Sequence, residues 1–596
     1  MRTNTRVEFG LYDVTARGDS SPTCDAAQPF CRLRRDLLVE AVPSQVKYGT
    51  LESRQWLMDG SFSFFPEVPE AYFWGLWSAV QSGESGAFAD PPVLDIQFSQ
   101  AHSSSGLTLH FYAPTGDWAS KLKIQWYGAD GGLLASALFT PDAVDFYCAK
   151  KVDRYRRIRL TFLETNRPGR YLKLAGLDYG VYLHFAGDEI VKAHVLEECD
   201  PLGAEISINT LGLTLYNKEG RFSILNPEGY FDVLQHKQKL TVWEDVRPEA
   251  RSTSSTSYCM GTFYLSDWEN SGDTLADFTA VDAVGLLDGA PYDGGVYDTT
   301  AGELAADILD GYSYTLDAEL AAERVQGYLA AGTRREALQQ LAFAIGAVVD
   351  CSRSDLIRIS PAPARASGMI AYDRKFQDGS KVTLNPLITA VAVTAHRYQA
   401  EDAASELYKD TLEPGTYQVT FSAPAVADSL TVTGATLAGR GVNRCTLTGR
   451  GVNRCTLTVA KAGEVCVTGR KYVDSTIILR RAAANLPPNA QDNELTVTDA
   501  TLVSPDRAAA VADRVLDYYA QRYEQTFRMI AGDEKLADRL IVQSFGGEMV
   551  RGVLTKLEFD LTGGFVADAK VVGRRLSGTA AAYAGDEIRA GERSLI

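Results

Sequence analysis

The chain of 596 residues lacks the short motifs around which many catalytic centres are built. It contains no Gly-x-Ser-x-Gly, no His-Glu-x-x-His and no phosphate-binding loop. Its six histidines are scattered, and carboxylates are so frequent that spacing alone singles out no catalytic pair. These absences argue against the common hydrolase, zinc-protease and nucleotide-binding motifs. We therefore expect no enzymatic activity and no cofactor.

Close cysteine pairs are also scarce. The nine cysteines are an odd number, no Cys-x-x-Cys occurs, and no histidine lies near a close pair. Cys24 and Cys31 form the one close pair outside a repeated segment. Widely spaced cysteines are typical of free thiols in a reducing compartment. The sequence thus predicts free thiols and no metal site.

Excess positive charge and long apolar runs are missing as well. The formal net charge is −17, which argues against a general nucleic-acid binder, since such a protein needs a basic surface. No apolar run approaches the length of a membrane span. The first ten residues show no apolar core of a secretion signal. We expect synthesis in a cytoplasm.

Against these absences, residues 333–350 give a clear helical signal. Thr333 and Glu336 have the spacing of a capping box. Apolar residues then recur at three- and four-residue steps and form one stripe: Leu338, Leu341, Ala342, Ile345, Val348 and Val349. The pattern predicts a helix that packs on β structure, with Leu341 and Ile345 buried.

A second helix is predicted from Ser504, with Pro505 at the favoured first position. Its predicted buried face is Ala508, Val511, Ala512, Val515, Tyr519 and Tyr523. The remainder of the chain mostly alternates as strands do, and its length predicts about three to five domains. The expected fold class is therefore mainly β with a few helices, in several domains.

Residues 61–185 alternate as an antiparallel β-sandwich does. Predicted strands include 93–98, 107–111, 122–126 and 158–162, and they are separated by turn residues. With its late segment 171–178, this stretch resembles the discoidin-like, galactose-binding jelly rolls. Residues 204–208, 212–215, 240–243 and 261–265 are predicted strands of the following region.

Ten residues, 439–448, are repeated without change at 449–458. With only two copies, the repeat indicates a tandem duplication or an error in assembling the sequence rather than a solenoid. Because ten is even, the insertion keeps strand facing, so that Cys455, Leu457 and Val459 share one side with Cys445 and Leu447. The fold can absorb it as a longer hairpin or as an extruded loop.

Aromatic residues are concentrated between Trp56 and Trp126. Aromatic faces can stack on sugar rings, and they can equally fill a sandwich core. The candidate glycan-binding residues are Tyr72, Trp74, Trp77 and Trp118, with Trp118 favoured because it follows Asp117 in a predicted turn. A basic cluster, Lys150–Arg159, is either a solvent-facing strand or a site for an anionic polymer.

The order of elements from about residue 186 to residue 575 resembles the baseplate hub proteins of phage tails and contractile injection systems, above all prophage proteins of Gram-positive bacteria. Three stretches carry the resemblance. They are 221–226 with 234–242, the helix 333–346, and 517–523 with 561–566 and 571–573.

The pattern of elements along the chain, together with this resemblance, predicts a division into seven units. They are an N-terminal β segment (1–60), the discoidin-like sandwich (61–185), a first hub β domain (186–300), a helix-containing hub domain (301–400), a β domain with the duplicated decamer (401–490), a second hub β domain with a helix (491–576) and a flexible tail (577–596).

The resemblance also implies a function. It implies a homotrimer whose two tube-like β domains per chain continue a hexameric tail tube and meet the spike or tip protein. Further implied partners are distal tail or baseplate proteins and a host cell-wall glycan. DNA is expected only in transit through the lumen, which the excess of acidic residues should keep negative. The implied location is the tail of a virion or tail-like particle made in a bacterial host. The alternatives are a carbohydrate-binding adhesion protein and a carbohydrate-active enzyme.

Overall fold

The structure is a computed structural model that describes residues 2–28, 52, 75–226, 229–247, 255–270, 274–434, 445–484, 486–544 and 547–576. The α-helices are α1 (Ala16–Asp19), α2 (Ala283–Asp288), α3 (Ala301–Ile308), α4 (Ala318–Ala321), α5 (Arg334–Ile345) and α6 (Ala508–Tyr519). Within these residues no helix is long and apolar enough to cross a membrane.

The strands, in chain order, are β1 (Arg2–Tyr12), β2 (Ser20–Thr23), β3 (Leu76–Gln81), β4 (Val93–Phe111), β5 (Ala119–Tyr127), β6 (Leu133–Phe139), β7 (Asp145–Thr165), β8 (Tyr171–Asp178), β9 (Gly180–Ala186), β10 (Ile190–Glu198), β11 (Thr210–Tyr216), β12 (Lys239–Arg247), β13 (Thr256–Glu269), β14 (Leu275–Val281), β15 (Pro291–Tyr292), β16 (Gly295–Thr300), β17 (Tyr314–Leu316), β18 (Arg324–Leu329), β19 (Gly332–Thr333), β20 (Ala347–Asp350), β21 (Ile357–Pro361), β22 (Gly368–Ile370), β23 (Lys381–Leu384), β24 (Ala390–Ala395), β25 (Tyr398–Leu412), β26 (Gly415–Thr420), β27 (Thr431–Gly434), β28 (Cys445–Arg450), β29 (Arg454–Val459), β30 (Gly463–Asp474), β31 (Ile477–Ala482), β32 (Glu494–Val497), β33 (Tyr523–Ile530), β34 (Arg539–Gln543), β35 (Met549–Asp560) and β36 (Val566–Leu576). The predicted fold class, mainly β with a few helices, is confirmed.

Two β modules form one thirteen-stranded sheet. The first β module contains β1 and β9–β14, and the second contains β22, β23 and β33–β36. The strand order is β23-β33-β36-β35-β10-β11-β14-β13-β12-β1-β9, with β34 on β35 and β22 on β34. Both modules contribute to one apolar core, in which Val7 and Phe278 of the first belong to the same cluster as Phe527 and Phe559 of the second.

The first β module begins earlier in the chain than expected. β1 pairs with β12 and β9, so that Val7 lies opposite both Val242 and Phe185. The structure therefore places residues 2–12 in the sheet of the predicted first hub domain and not in a separate N-terminal unit of 60 residues. Alternation reveals a strand's buried face but not its partner, which explains the difference.

The region predicted as a β-sandwich, called the inserted sandwich below, is an insertion into this module. β2–β8 form a seven-stranded sheet with its own core. The chain leaves the first module at Tyr12 and returns at Gly180, and these two residues are paired neighbours. All four predicted strands within 93–162 lie in β4, β5 and β7. The turn predicted between 93–98 and 107–111 is wrong, because β4 runs through it as one strand.

Residues between the two β modules in the chain form a helical core, which is built from α2–α6 and the short strands around them. Its central side chains include Leu304, Leu341, Val391 and Val511. The predicted capping box of α5 is confirmed, since Thr333 and Glu336 each accept a hydrogen bond from the other's backbone N–H. Leu341 is fully buried and Ile345 is 5% exposed, as predicted.

Both predicted helices end sooner than expected. Gly346 adopts a left-handed conformation with φ of 77° and ends α5, so Val348 and Val349 lie in β20 instead of extending the helical stripe. The α6 helix begins at Ala508, a turn after Ser504, and ends at Tyr519. Tyr523 is the first residue of β33.

The predicted strand 204–208 is irregular backbone, in which the Asp200 carboxylate accepts hydrogen bonds from the N–H groups of Ala204 and Glu205.

A second insertion carries the duplicated decamer. β25–β30 lie between β24 and β31 and enclose a separate small core. In it the described end of the first copy, residues 445–447, pairs with the second copy, because β28 and β29 form an antiparallel hairpin with Leu447 opposite Leu457. Of the two alternatives, a longer hairpin and an extruded loop, the described residues show a hairpin. Cys455, Leu457 and Val459 are buried together.

Candidate functional site

The antiparallel contact between β10 and β35 joins the two β modules, and it is the main candidate site. The register places His194 opposite Asp560, Val195 opposite Phe559 and Glu198 opposite Lys556. Because side chains alternate across a strand, this pairing creates one apolar face and one charged face. Val195 and Phe559 are fully buried on the apolar face.

One ion pair is buried on the apolar side of the junction. Glu197 of β10 is 1% exposed and accepts a hydrogen bond from Arg353 Nε. The Arg353 guanidinium also lies 4.8 Å from the centroid of the Phe559 ring. Burial raises the pKa of the Glu197 carboxyl, and the charge of Arg353 opposes that rise. Arg353 follows β20 of the helical core, so this pair ties that core to both modules.

The opposite face of the junction carries a ladder of paired charges. Lys556 Nζ lies 3.0 Å from a Glu558 carboxylate oxygen and 3.4 Å from one of Glu198, while His194 Nε2 lies 2.9 Å from the other Glu558 oxygen. The hydrogen bond from Lys556 lowers the pKa of Glu558. On the neighbouring strands Lys570 pairs with Glu524 at 3.1 Å. This face is suited to contact with water.

A groove of about 410 Å³ opens beside the ladder, between the sheet and the end of α6. Tyr518, Tyr519 and Asn385 line it with Lys556 and Lys570. The Cys199 thiol also borders it, but burial raises the pKa of that thiol far above its ordinary value, so it is not a ready nucleophile. The arrangement offers hydrogen bonds and charge pairs rather than an activated reacting group.

Two of the four candidate glycan-binding residues, Trp77 and Trp118, lie in the described structure, and they differ in exposure. Tyr72 and Trp74 lie outside the described residues. Trp77 is 1% exposed, with Lys173 Nζ 4.8 Å from its ring centroid, so its ring faces have no room for a sugar. Lys173 Nζ also lies 2.6 Å from a carboxylate oxygen of Asp117. The carboxylate beside Trp118 is therefore already paired.

Trp118 lies at the rim of the sandwich core and is partly buried. Its indole N–H donates to the carbonyl of Pro141 at 3.2 Å, and its backbone N–H donates to the Asn166 side chain. Of the glycan candidates in the described residues, Trp118 alone is partly exposed. Whether it binds a glycan stays a prediction.

The basic cluster divides into two parts. Ile158, Leu160 and Phe162 are buried, so Arg157 and Arg159 face outward as the strand alternation predicts, and Arg157 pairs with Asp95. The earlier members Lys150, Lys151, Arg154 and Arg156 are exposed. In the described part of the chain, no group of three or more His, Cys, Asp or Glu is placed to hold a metal ion.

Sequence reasoning did not single out the junction. His194 and Glu558 are 364 residues apart in the chain, and each lies in an ordinary alternating strand. The sequence shows only that apolar and polar residues alternate in β10 and in β35, and many other strands of the chain share this pattern. No local motif reports such a contact.

No protein-family model matches the chain, and no curated protein matches it. Among solved structures, the chain is similar to the 43 kDa tail protein of prophage MuSo2 from Shewanella oneidensis, with 13% identity and a TM-score of 0.38 over 66% of this chain and 96% of that one. It is similar to prophage tail protein gp18 from Listeria monocytogenes, with 10% identity and a TM-score of 0.37 over 66% and 92%. It is also similar to the E. coli c3393 protein, a component of the type VI secretion system, with 6% identity and a TM-score of 0.31 over 65% and 74%.

Proposed function

We propose that the chain is a structural component of a phage tail or phage-tail-like particle, a trimeric hub that joins the tail tube to the spike or tip. One observation carries the proposal: within a single chain, two β modules are joined edge to edge into one sheet through β10 and β35. Such a chain supplies two neighbouring segments of a larger β-lined wall.

Three copies supply six β modules, which is the number that a hexameric tube presents. A ring forms when one edge of each copy meets a different edge of the next, a head-to-tail contact that closes after a fixed rotation. The sheet has two such ends, β9 on the first module and β23 on the second. In this proposal the partners of the chain are two further copies of itself, the tube protein, the spike or tip protein, and the distal tail or baseplate proteins.

The charged ladder supports a water-filled interior. Side chains of both signs cover the junction face, with Glu198, Glu558 and Glu524 set against Lys556 and Lys570. With a net charge of −17 for the chain, we expect a lumen that does not attract DNA in transit. The proposal assigns the chain a location in the particle tail and no catalytic step.

Native mass spectrometry of the purified full chain tests the trimer, and images of labelled particles test its place on the tail axis. We expect a trimer that persists on dilution and a single copy of it at the junction of tube and tip. A chain that is monomeric within assembled particles, or one located away from the axis, contradicts the hub. A strongly positive mapped lumen contradicts the proposed passage of DNA.

We further propose that the inserted sandwich is a glycan-binding module, a role supported only by the partly exposed residue Trp118 at its rim. A glycan array with the full chain checks this. Binding that disappears in Trp118→Ala, but not in Trp268→Ala on β13 of the first module, supports the role. A wild-type chain without signal, or a Trp118→Ala chain with unchanged signal, contradicts it.

A further inference from the structure

The β6 strand, at the edge of the inserted sandwich sheet, is uncharged and exposes three leucines. Leu133, Leu134 and Leu138 are 54%, 49% and 56% exposed. β6 ends the path β3-β8-β4-β7-β5-β6, and among the described strands only β5 pairs with it. Residues 133–140 contain neither a charged residue nor a proline.

Three other edge strands of the same chain carry features that discourage pairing with a foreign strand. β2 contains Pro22, β23 contains Lys381, and β31 contains Arg480 and Arg481. Exposed edges of soluble proteins are commonly protected by lysine, proline or charge. β6 has a bulge at its Leu133–Leu134 end, but Ala135 to Phe139 keep a regular register with β5. An unprotected apolar edge of this length indicates a strand that pairs with another one.

The sequence of β6 fits a second copy of itself. Leu134-Ala135-Ser136-Ala137-Leu138 reads the same in both directions. When two copies pair antiparallel about a two-fold axis at Ser136, Leu134 lies opposite Leu138 of the other copy, and Ala135 lies opposite Ala137. Leu134 and Leu138 then come together on the solvent-facing side, and the small alanines extend the inner side, where Ala135, Ala137 and Phe139 already pack on the core.

We propose that β6 pairs antiparallel with β6 of a second copy of this chain, centred on Ser136, so that two sandwich sheets become one. The contact is isologous, since the same surface serves both copies. It differs from the head-to-tail contact of the proposed trimer and does not depend on it. If the trimer also forms, β6 pairs link the sandwiches of two trimers.

Cysteine cross-linking in the full chain tests the register. Two residues at the two-fold centre have Cα atoms about 4.5–5.5 Å apart, which is within the range of a disulfide. We expect Ser136→Cys to form disulfide-linked pairs on mild oxidation, beyond the background of wild-type protein. Leu134→Cys alone should not, because in this register the two copies of residue 134 are about 13 Å apart along the strands.

A mixture of Leu134→Cys and Leu138→Cys proteins should cross-link, because these residues lie opposite each other. Failure of Ser136→Cys to cross-link overturns the proposal. Equal cross-linking by Leu134→Cys alone also overturns it, since that outcome indicates a parallel or unspecific contact.

Charge on the edge gives a second test, read by analytical ultracentrifugation. Leu138→Lys should weaken the pairing at least ten-fold, while Ile478→Lys, which alters a 70% exposed residue on edge strand β31, should leave it unchanged. Equal effects of the two variants overturn the proposal. A trimer that survives in Leu138→Lys while the pairing weakens separates this contact from the proposed hub contact. A wild-type chain that pairs through β6 but forms no trimer counts only against the hub.

Discussion

His110 connects two carboxylates where the inserted sandwich meets the first β module. Its Nδ1 lies 2.7 Å from Asp145 and its Nε2 lies 2.9 Å from Asp178, which also pairs with Arg17. Burial alone would lower the pKa of His110, but the hydrogen bonds with the two carboxylates outweigh it and raise that pKa to about 9. The folded protein therefore holds the imidazolium at neutral pH.

A group whose pKa is higher in the folded state stabilises the fold below its unfolded pKa, and this stabilisation is lost as the pH rises through the folded value. We expect His110→Gln to lower the free energy of unfolding by about 2 kcal/mol at pH 6, and by much less at pH 10. Unfolding curves at both pH values check this, with His236→Gln as the exposed control. An equal loss at both pH values contradicts the prediction.

Glu244 is a buried carboxyl in the centre of β12, and it also makes stability fall as the pH rises, but in a lower pH range than His110. It is fully buried, accepts a hydrogen bond from Thr5 at 2.8 Å, and has one oxygen without a partner. Burial raises its pKa to about 7. A carboxyl with a raised pKa takes up protons on folding, so it reduces stability as the pH rises from about 4.5 to 7.

Glu244→Gln keeps an acceptor for Thr5 and removes this charge. We expect the variant to be more stable than wild type by about 2 kcal/mol at pH 8 and to differ little at pH 4.5. Chemical denaturation at the two pH values measures the difference. A variant that is less stable at pH 8 would show that the ionised carboxylate has a favourable partner.

At the scale of elements, α5 is held by its cap and by one deeply buried residue. Leu341 belongs to the helical core together with Leu304 and Val511. We expect Leu341→Asp to unfold this core and so prevent assembly, because an unpaired carboxylate would be buried. Leu341→Met should cost less than about 1.5 kcal/mol. Circular dichroism and native mass check both, and a folded Leu341→Asp chain that fails to assemble contradicts the structural role.

The difference between prediction and structure also lies at the scale of elements. The α5 cap and the facing of Arg157 were predictable because residues within a few positions determine them. The pairing of Val7 with Phe185 and Val242 was not, since alternation leaves the partner open. Trp77, a candidate glycan-binding residue, was also not predictable. An aromatic residue near a predicted strand fits a core or a binding surface equally well, and the structure places Trp77 in the core.

For the whole molecule, both insertions enter and leave the framework at paired neighbours. Tyr12 lies opposite Gly180 for the sandwich, and Tyr398 lies opposite Asp474 for the second insertion. Each has its own apolar core. A framework that carries insertions at adjacent points can keep its fold when one is removed, because the chain ends left behind are already close together.

We therefore expect that replacing residues 401–473 with a two-residue Asn-Gly turn leaves the thirteen-stranded sheet and the helical core folded. Two described contacts would be lost, the hydrogen bond from the Ala331 N–H to Asn453 and the ion pair of Arg454 with Asp293. Exposed ion pairs of this kind contribute at most about 1 kcal/mol. The shortened chain should melt within a few degrees of the full chain and keep its oligomeric state, as measured by calorimetry and native mass. Loss of the cooperative transition would mean that the second insertion completes the helical core instead of being carried by it.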